Sequence, residues 1–129
     1  MGRTVVKRVL AVLLGTFATT SAVLLAATAP AHAAQNCQDI GNGSVCIDVT
    51  PAGSPGHVQV SYVKKAGDPL NAYLVWRNPG GVISAGPEEH MVSGRAYIHR
   101  WDTFVGAGCN TPGIRIPFQP TIWGPTVCV

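Results

Sequence analysis

Several residues in this chain are of types that do chemistry, and their spacing limits what that chemistry can be. Glu88-Glu89-His90, with His99 and Asp102 beyond, brings together the carboxylates and imidazoles that transition metals take. The spacing fits no defined metal template. His99 and Asp102 fall on opposite faces of a continuous strand, and Pro87-Glu88-Glu89 reads equally well as a solvated turn. No metal and no other cofactor is expected. Ser44, Ser54, Ser61, Ser84 and Ser93 lie mostly beside glycine or in strands, none in a G-x-S-x-G elbow. Paired carboxylates for glycoside hydrolysis reduce to Glu88 and Glu89, which are adjacent and face opposite ways if extended. No catalytic residue is assigned, and the chain is not read as an enzyme.

The four cysteines, Cys37, Cys46, Cys109 and Cys128, take their meaning from what precedes them. Met1 to Arg8 is basic, Val9 to Ala29 is apolar and Ala31-His32-Ala33 closes the run, the pattern of an export signal over residues 1–33. An even number of cysteines in an exported chain reads as disulfides, which removes them as thiol nucleophiles. Metal binding by four cysteines needs close C-x-x-C pairs, and there are none. The spacing favours local pairing, Cys37 with Cys46 and Cys109 with Cys128. With Gly41-Asn42 at the centre of a primed turn, Cys37 stands opposite Cys46 in a non-hydrogen-bonded pair. Centred on Asn42-Gly43, the turn sets Cys37 opposite Asp48 instead.

Without the signal, which carries Arg3, Lys7 and Arg8, six basic residues (Lys64, Lys65, Arg77, Arg95, Arg100, Arg115) face six acidic ones (Asp39, Asp48, Asp68, Glu88, Glu89, Asp102). A neutral chain whose only adjacent basic pair is Lys64-Lys65 lacks the clustered charge that nucleic acid requires. No second apolar run approaches the ~20 residues of a membrane span. Neither nucleic acid nor, after signal removal, a membrane is expected as a partner.

The elements that must position any site read as strands. Val58, Val60 and Tyr62 alternate with Gln59 and Ser61, a period of two. Lys64 to Pro69 breaks the run with turn chemistry, and Leu70–Arg77 resumes it as a central strand. Asn78-Pro79-Gly80-Gly81 is the next turn. Val82-Ile83-Ser84 is a short strand, and Ala85-Gly86-Pro87 after it marks an edge. Arg95–Trp101 is a further strand, and Ile114-Arg115-Ile116 with Thr121-Ile122-Trp123 a terminal pair. Pro112, Pro117, Pro120 and Pro125 make the C-terminal section extended and edge-like. No helical period is sustained. The expectation is all-β, one small antiparallel β-sandwich or small barrel over residues 34–129, with two disulfides.

Aromatics are numerous for this length, and Trp, Tyr and Arg are the types most enriched at binding hot spots. Trp76-Arg77-Asn78-Pro79 sits where a strand meets a turn, placing Trp76 and Arg77 at a rigid rim; these four are the candidate partner-binding residues. Trp101 and Trp123 are assigned to the core.

The export signal, two early cysteines, the Val60-Ser61-Tyr62-Val63-Lys64-Lys65 strand and turn, and the late Gly108-Cys109 with terminal Cys128 together resemble small secreted actinobacterial proteins of unassigned activity. The size, the locally paired disulfides and Trp76-Arg77 also resemble tendamistat-type α-amylase inhibitors, all-β proteins that present a Trp-Arg-Tyr triplet. Here the third residue is Asn78, and Trp76 lies outside both presumed disulfide loops. The export signal makes the expected protein secreted and extracellular, a monomer is expected, and the resemblance implies a non-catalytic binding role as inhibitor of an extracellular hydrolase. A carbohydrate- or cell-wall-binding module and a surface-coat protein are the alternatives.

Overall fold

Gly41 and Asn42 turn the chain between β1 (Ala34–Asp39) and β2 (Gly43–Val49). Gly41 has a φ of 96°, Asn42 does not enter the left-handed region, and the Ile40 N–H donates to the Gly43 carbonyl at 2.8 Å. This is the two-residue type II′ connection, with glycine at its first central position. Of the two registers open to the sequence it selects Cys37 opposite Cys46, with Cα atoms 4.1 Å apart and the disulfide formed. Asp39 accepts the Gly41 N–H and pairs with Lys65 at 2.9 Å, and these contacts hold its carboxyl below the usual carboxylate range.

The computed structural model describes residues 33–129, so the signal over 1–33 lies, apart from Ala33, outside the described residues. After β2 come β3 (Ser54–Lys64), β4 (Leu70–Arg77), β5 (Ile83–Met91), β6 (Arg95–Val105), β7 (Cys109–Arg115), β8 (Ile122–Trp123) and β9 (Val127–Cys128). They form two antiparallel sheets. The first has the order β1-β2-β3-β6; the second has the order β5-β4-β7-β8, with β9 also pairing with β7. This is the sandwich and not the barrel. Among the described residues no helix is long and apolar enough to cross a membrane.

Alternation fills the space between the sheets. Val45, Ile47 and Val49 from β2, and Val58, Val60 and Tyr62 from β3, point inward from the first sheet. Ala72, Leu74 and Trp76 from β4, Met91 from β5 and Ile114 from β7 meet them from the second. β-branched side chains suit a pleated, buried surface, which is why valine dominates. Lys64 continues the inward series of β3 and is 1% exposed. Its Nζ donates to the Ala66 carbonyl at 2.7 Å, so the turn folds back over the end of the strand to give the buried amino group a partner.

Two expectations are corrected. The strand beginning at Ile83 does not stop at Ser84, and Glu88-Glu89-His90 is strand, not solvated turn, because β5 runs on to Met91. A bulge sets Gly86 and Pro87 against Leu74 alone, and since β5 is an edge, nothing is lost where proline has no N–H to give. The C-terminal prolines do not make an edge throughout either. Pro112 is fully buried inside β7, between β4 and the terminal strands. Its carbonyl accepts Gly124 N–H at 2.8 Å, so its missing donor faces the same side, in the gap where β8 has ended and β9 has not begun.

Reducing and blocking Cys37–Cys46 or Cys109–Cys128 should each lower unfolding free energy in urea by about 3 kcal/mol, slightly more for the second because it closes the longer loop. Equal curves for the oxidised and reduced protein would contradict this.

Candidate functional site

Trp76 and Arg77 are neighbours in β4 and therefore leave it on opposite faces. Trp76 turns inward and is 9% exposed. Its indole N–H donates to Asn110 Oδ1 at 2.9 Å, and its ring centroid lies 5.7 Å from that of Trp101. Asn110 is placed for this bond because β7 is clamped to β9 there, with Cys109 opposite Cys128 and Asn110 opposite Val127. Trp101, in β6, is half-buried against Trp76 and His99.

Where β4 ends, Asn78 organises the turn. Its N–H donates to the Val82 carbonyl, its carbonyl accepts from Gly81, and its side-chain Oδ1 accepts the Val82 N–H at 3.0 Å. Pro79 then packs on the loop after β6: a Cβ at Gly108 would lie 2.7 Å from Pro79 Cβ, and Gly108 has a φ of 127°. Only glycine satisfies both the close approach and that backbone.

The result is a cleft of about 300 Å³ at one end of the sandwich. Trp76, Asn78, Pro79 and Gly80 form one wall, Thr103, Phe104, Val105 and Gly106 the other, and Asn110 closes the floor. No ionisable side chain lines it. Its amides are largely occupied by the protein itself: Asn110 Oδ1 takes the indole N–H, Asn110 Nδ2 reaches the Gly108 carbonyl, and Asn78 Oδ1 takes a backbone N–H. Phe104 is 64% exposed beside it. Such a cleft suits an uncharged, largely apolar group.

Three of the four candidate residues, Trp76, Asn78 and Pro79, are thus brought together, and Arg77 is set apart. Arg77 lies on the outer face of the second sheet, its guanidinium 4.6 Å from the Trp123 ring centroid. Trp123 lies across Gly113 and Val75: a Cβ at Gly113 would fall 2.8 Å from Trp123 Cε3 and 3.1 Å from Val75. Val75 is fully buried although it points away from the core. Trp123 therefore covers the outer face instead of filling the interior. The opposite wall of the cleft was not legible, because Thr103 to Gly106 come from the other sheet and no local pattern links them to Trp76.

The residues that suggested metal chemistry are dispersed. Glu88 accepts the Tyr73 hydroxyl at 2.6 Å, His90 meets Asn71 at 2.8 Å, and Asp102 pairs with Arg100 at 2.7 Å. His99 stands edge-on to Trp101. Among the described residues no three of His, Cys, Asp and Glu converge. Glu88 raises the Tyr73 pKa above the usual tyrosine range, chiefly through that hydrogen bond, and burial raises that of Tyr62. Compared with family models, with characterised proteins and with solved structures, the chain finds no match in any of the three.

Trp76→Ala should cost about 3 to 5 kcal/mol of stability, as for a core aromatic, and Arg77→Ala no more than about 1 kcal/mol. Equal small losses would return Trp76 to the surface. In an ultraviolet pH titration, Glu88→Ala should bring the Tyr73 transition down towards the ordinary range while that of Tyr62 stays raised. An unmoved Tyr73 transition would dissociate it from Glu88.

Proposed function

We propose that this is a secreted, non-catalytic binding protein whose contact surface is the cleft end of the sandwich, and that its partner is an extracellular protein such as a hydrolase. The observation that carries the reading is the cleft itself: an uncharged recess walled by a rigidly held Trp76 and flanked by Pro79 and the exposed Phe104. A partner inserting an apolar side chain there desolvates surface that offers few unmet hydrogen bonds, the condition under which a small contact becomes a hot spot. Both disulfides fit an oxidising compartment, and Cys109–Cys128 holds the strand that carries Asn110 at the cleft.

The glycan reading is weaker on this geometry. Tyr73 and Trp123 share the outer face of the second sheet, as a stacking platform would. Yet the Tyr73 hydroxyl is bound to Glu88 and the Trp123 ring carries Arg77. Arg77 belongs to that second surface and is not counted among the cleft contacts.

The test is inhibition. Titrated against a panel of secreted amylases and proteases, the oxidised protein should block one of them at a fixed stoichiometry. Gly106→Trp, at a position where a Cβ meets nothing within 4 Å, should weaken that inhibition by about thirtyfold or more, as for a hot spot, and equal melting temperatures of variant and wild type would show that the fold is kept. Sedimentation with an insoluble polysaccharide and no effect on any enzyme would replace this reading with the glycan one.

A further inference from the structure

Of the strands that end a sheet, β6 is the one whose backbone edge is neither interrupted nor short, and its outward charges, Arg100 and Asp102, are of opposite sign. β5 carries Pro87 and a bulge. β1 is short and its exposed side chains are polar. β6, at the end of the first sheet, runs unbroken for 11 residues without proline, lysine or bulge, and shows Ile98 at 57% and Phe104 at 64% exposure. An edge of that kind is a template for another strand.

The direction of its backbone groups follows from its neighbours. Thr50 N–H donates to the His57 carbonyl, so His57 faces β2, and the alternate residues Val58, Val60 and Tyr62 face β6. Their register partners Trp101, His99 and Tyr97 therefore direct their N–H and C=O groups to β3. Gly53 N–H donating to the Val105 carbonyl fits the same parity. The backbone groups of Ala96, Ile98, Arg100, Asp102 and Phe104 point to the open side, and those side chains stand on the outer face.

We infer that β6 is the seam of a homodimer, pairing antiparallel with β6 of a second copy about a two-fold axis at Trp101. Chemistry selects both the occupant and the register. With Trp101 facing its own copy, Arg100 stands opposite Asp102 and Ile98 opposite Phe104, each pair occurring twice about the axis. All of these residues have open-side backbone groups, so each pair can exchange both hydrogen bonds. Shifting the axis to Arg100 or Asp102 keeps the hydrogen-bond parity but sets like charges face to face, and shifting it to His99 separates both pairs. Within one chain Arg100 Nε contacts Asp102 Oδ1 at 2.7 Å with both side chains exposed, so on pairing each group exchanges its in-chain partner for the facing copy's. Such a seam is isologous, as a two-fold interface requires. It joins the first sheets of both copies into one continuous sheet and reduces the exposure of Ile98 and Phe104 through their cross-strand contact. A dimer is proposed where the sequence led to the expectation of a monomer; neither Arg100 nor Asp102 lines the cleft, and Phe104, which does, is shared between the two surfaces.

The experiment is analytical ultracentrifugation of residues 33–129, which hold both sheets, both disulfides and the whole core, from about 1 µM to about 1 mM, a range that spans weak to moderate affinities. The wild type should dimerise. Arg100→Asp and Asp102→Arg should each weaken association at least tenfold, and the double exchange should restore it to within about threefold of wild type. Both residues are exposed, and unchanged melting temperatures would show that folding is intact. As an independent readout, the amides of Ile98, Arg100, Asp102 and Phe104 should exchange more slowly as concentration rises, while those of Tyr97 and His99 do not change. A monomer at every concentration, a dimer indifferent to the single reversals, or an exchange that fails to rescue would each overturn the seam.

Discussion

In a pleated strand consecutive residues face opposite ways, and in a molecule made of strands this alternation decides where every side chain can act. A core of valines, with Val45, Val49, Val58 and Val60 all wholly buried, fixes which set faces inward. Once it is fixed, a slip of one residue would expose the whole apolar set, so register is held strongly. The remaining features are consequences. Lys64 is buried because it falls on the inward parity of β3, and Arg77 parts from Trp76 because it falls on the outward parity of β4. Arg100 and Asp102 share a face because they are two residues apart.

The disulfides sit where that alternation is least supported by packing. Cys37–Cys46 ties the edge strand β1, whose residues are nearly all exposed, to β2. Cys109–Cys128 ties the two-residue β9 to β7. Neither terminal strand buries enough apolar surface to hold itself. The second bridge has a further effect, because the register it fixes is also the one that presents Asn110 to the Trp76 indole. A buried indole N–H without an acceptor is costly, so the cleft floor and the C-terminal clamp stand or fall together.

Much of this was legible in local chemistry. The Gly41-Asn42 turn, the alternation from Val58 to Tyr62 and the spacing of the cysteines each depend on residues close in sequence, and each reappears in the fold. Illegibility began where a residue's meaning depended on a distant strand. Gly86-Pro87 reads as a stop until Leu74 is seen to accommodate a bulge. Pro112 reads as an edge until β8 and β9 are seen to leave a gap beside it. Trp76 beside Arg77 reads as a rim residue until Asn110, 34 residues on, claims its N–H. Phe104 could be noticed as an aromatic, but its position beside Pro79 and the cleft is a product of two sheets meeting.

The burial of Lys64 divides the two lysines of the described residues into unlike reagents. Lys65 carries an exposed amine on the β3–β4 turn, whereas the Lys64 amine is enclosed under the Ala66 carbonyl. β4 then runs its eight residues, about 25 Å, from that turn to the cleft. Amine-reactive coupling through the side chains consequently falls on Lys65, at the far pole from the cleft. A surface derivatised this way would carry the molecules oriented with the cleft outward, a handle that the fold supplies without engineering.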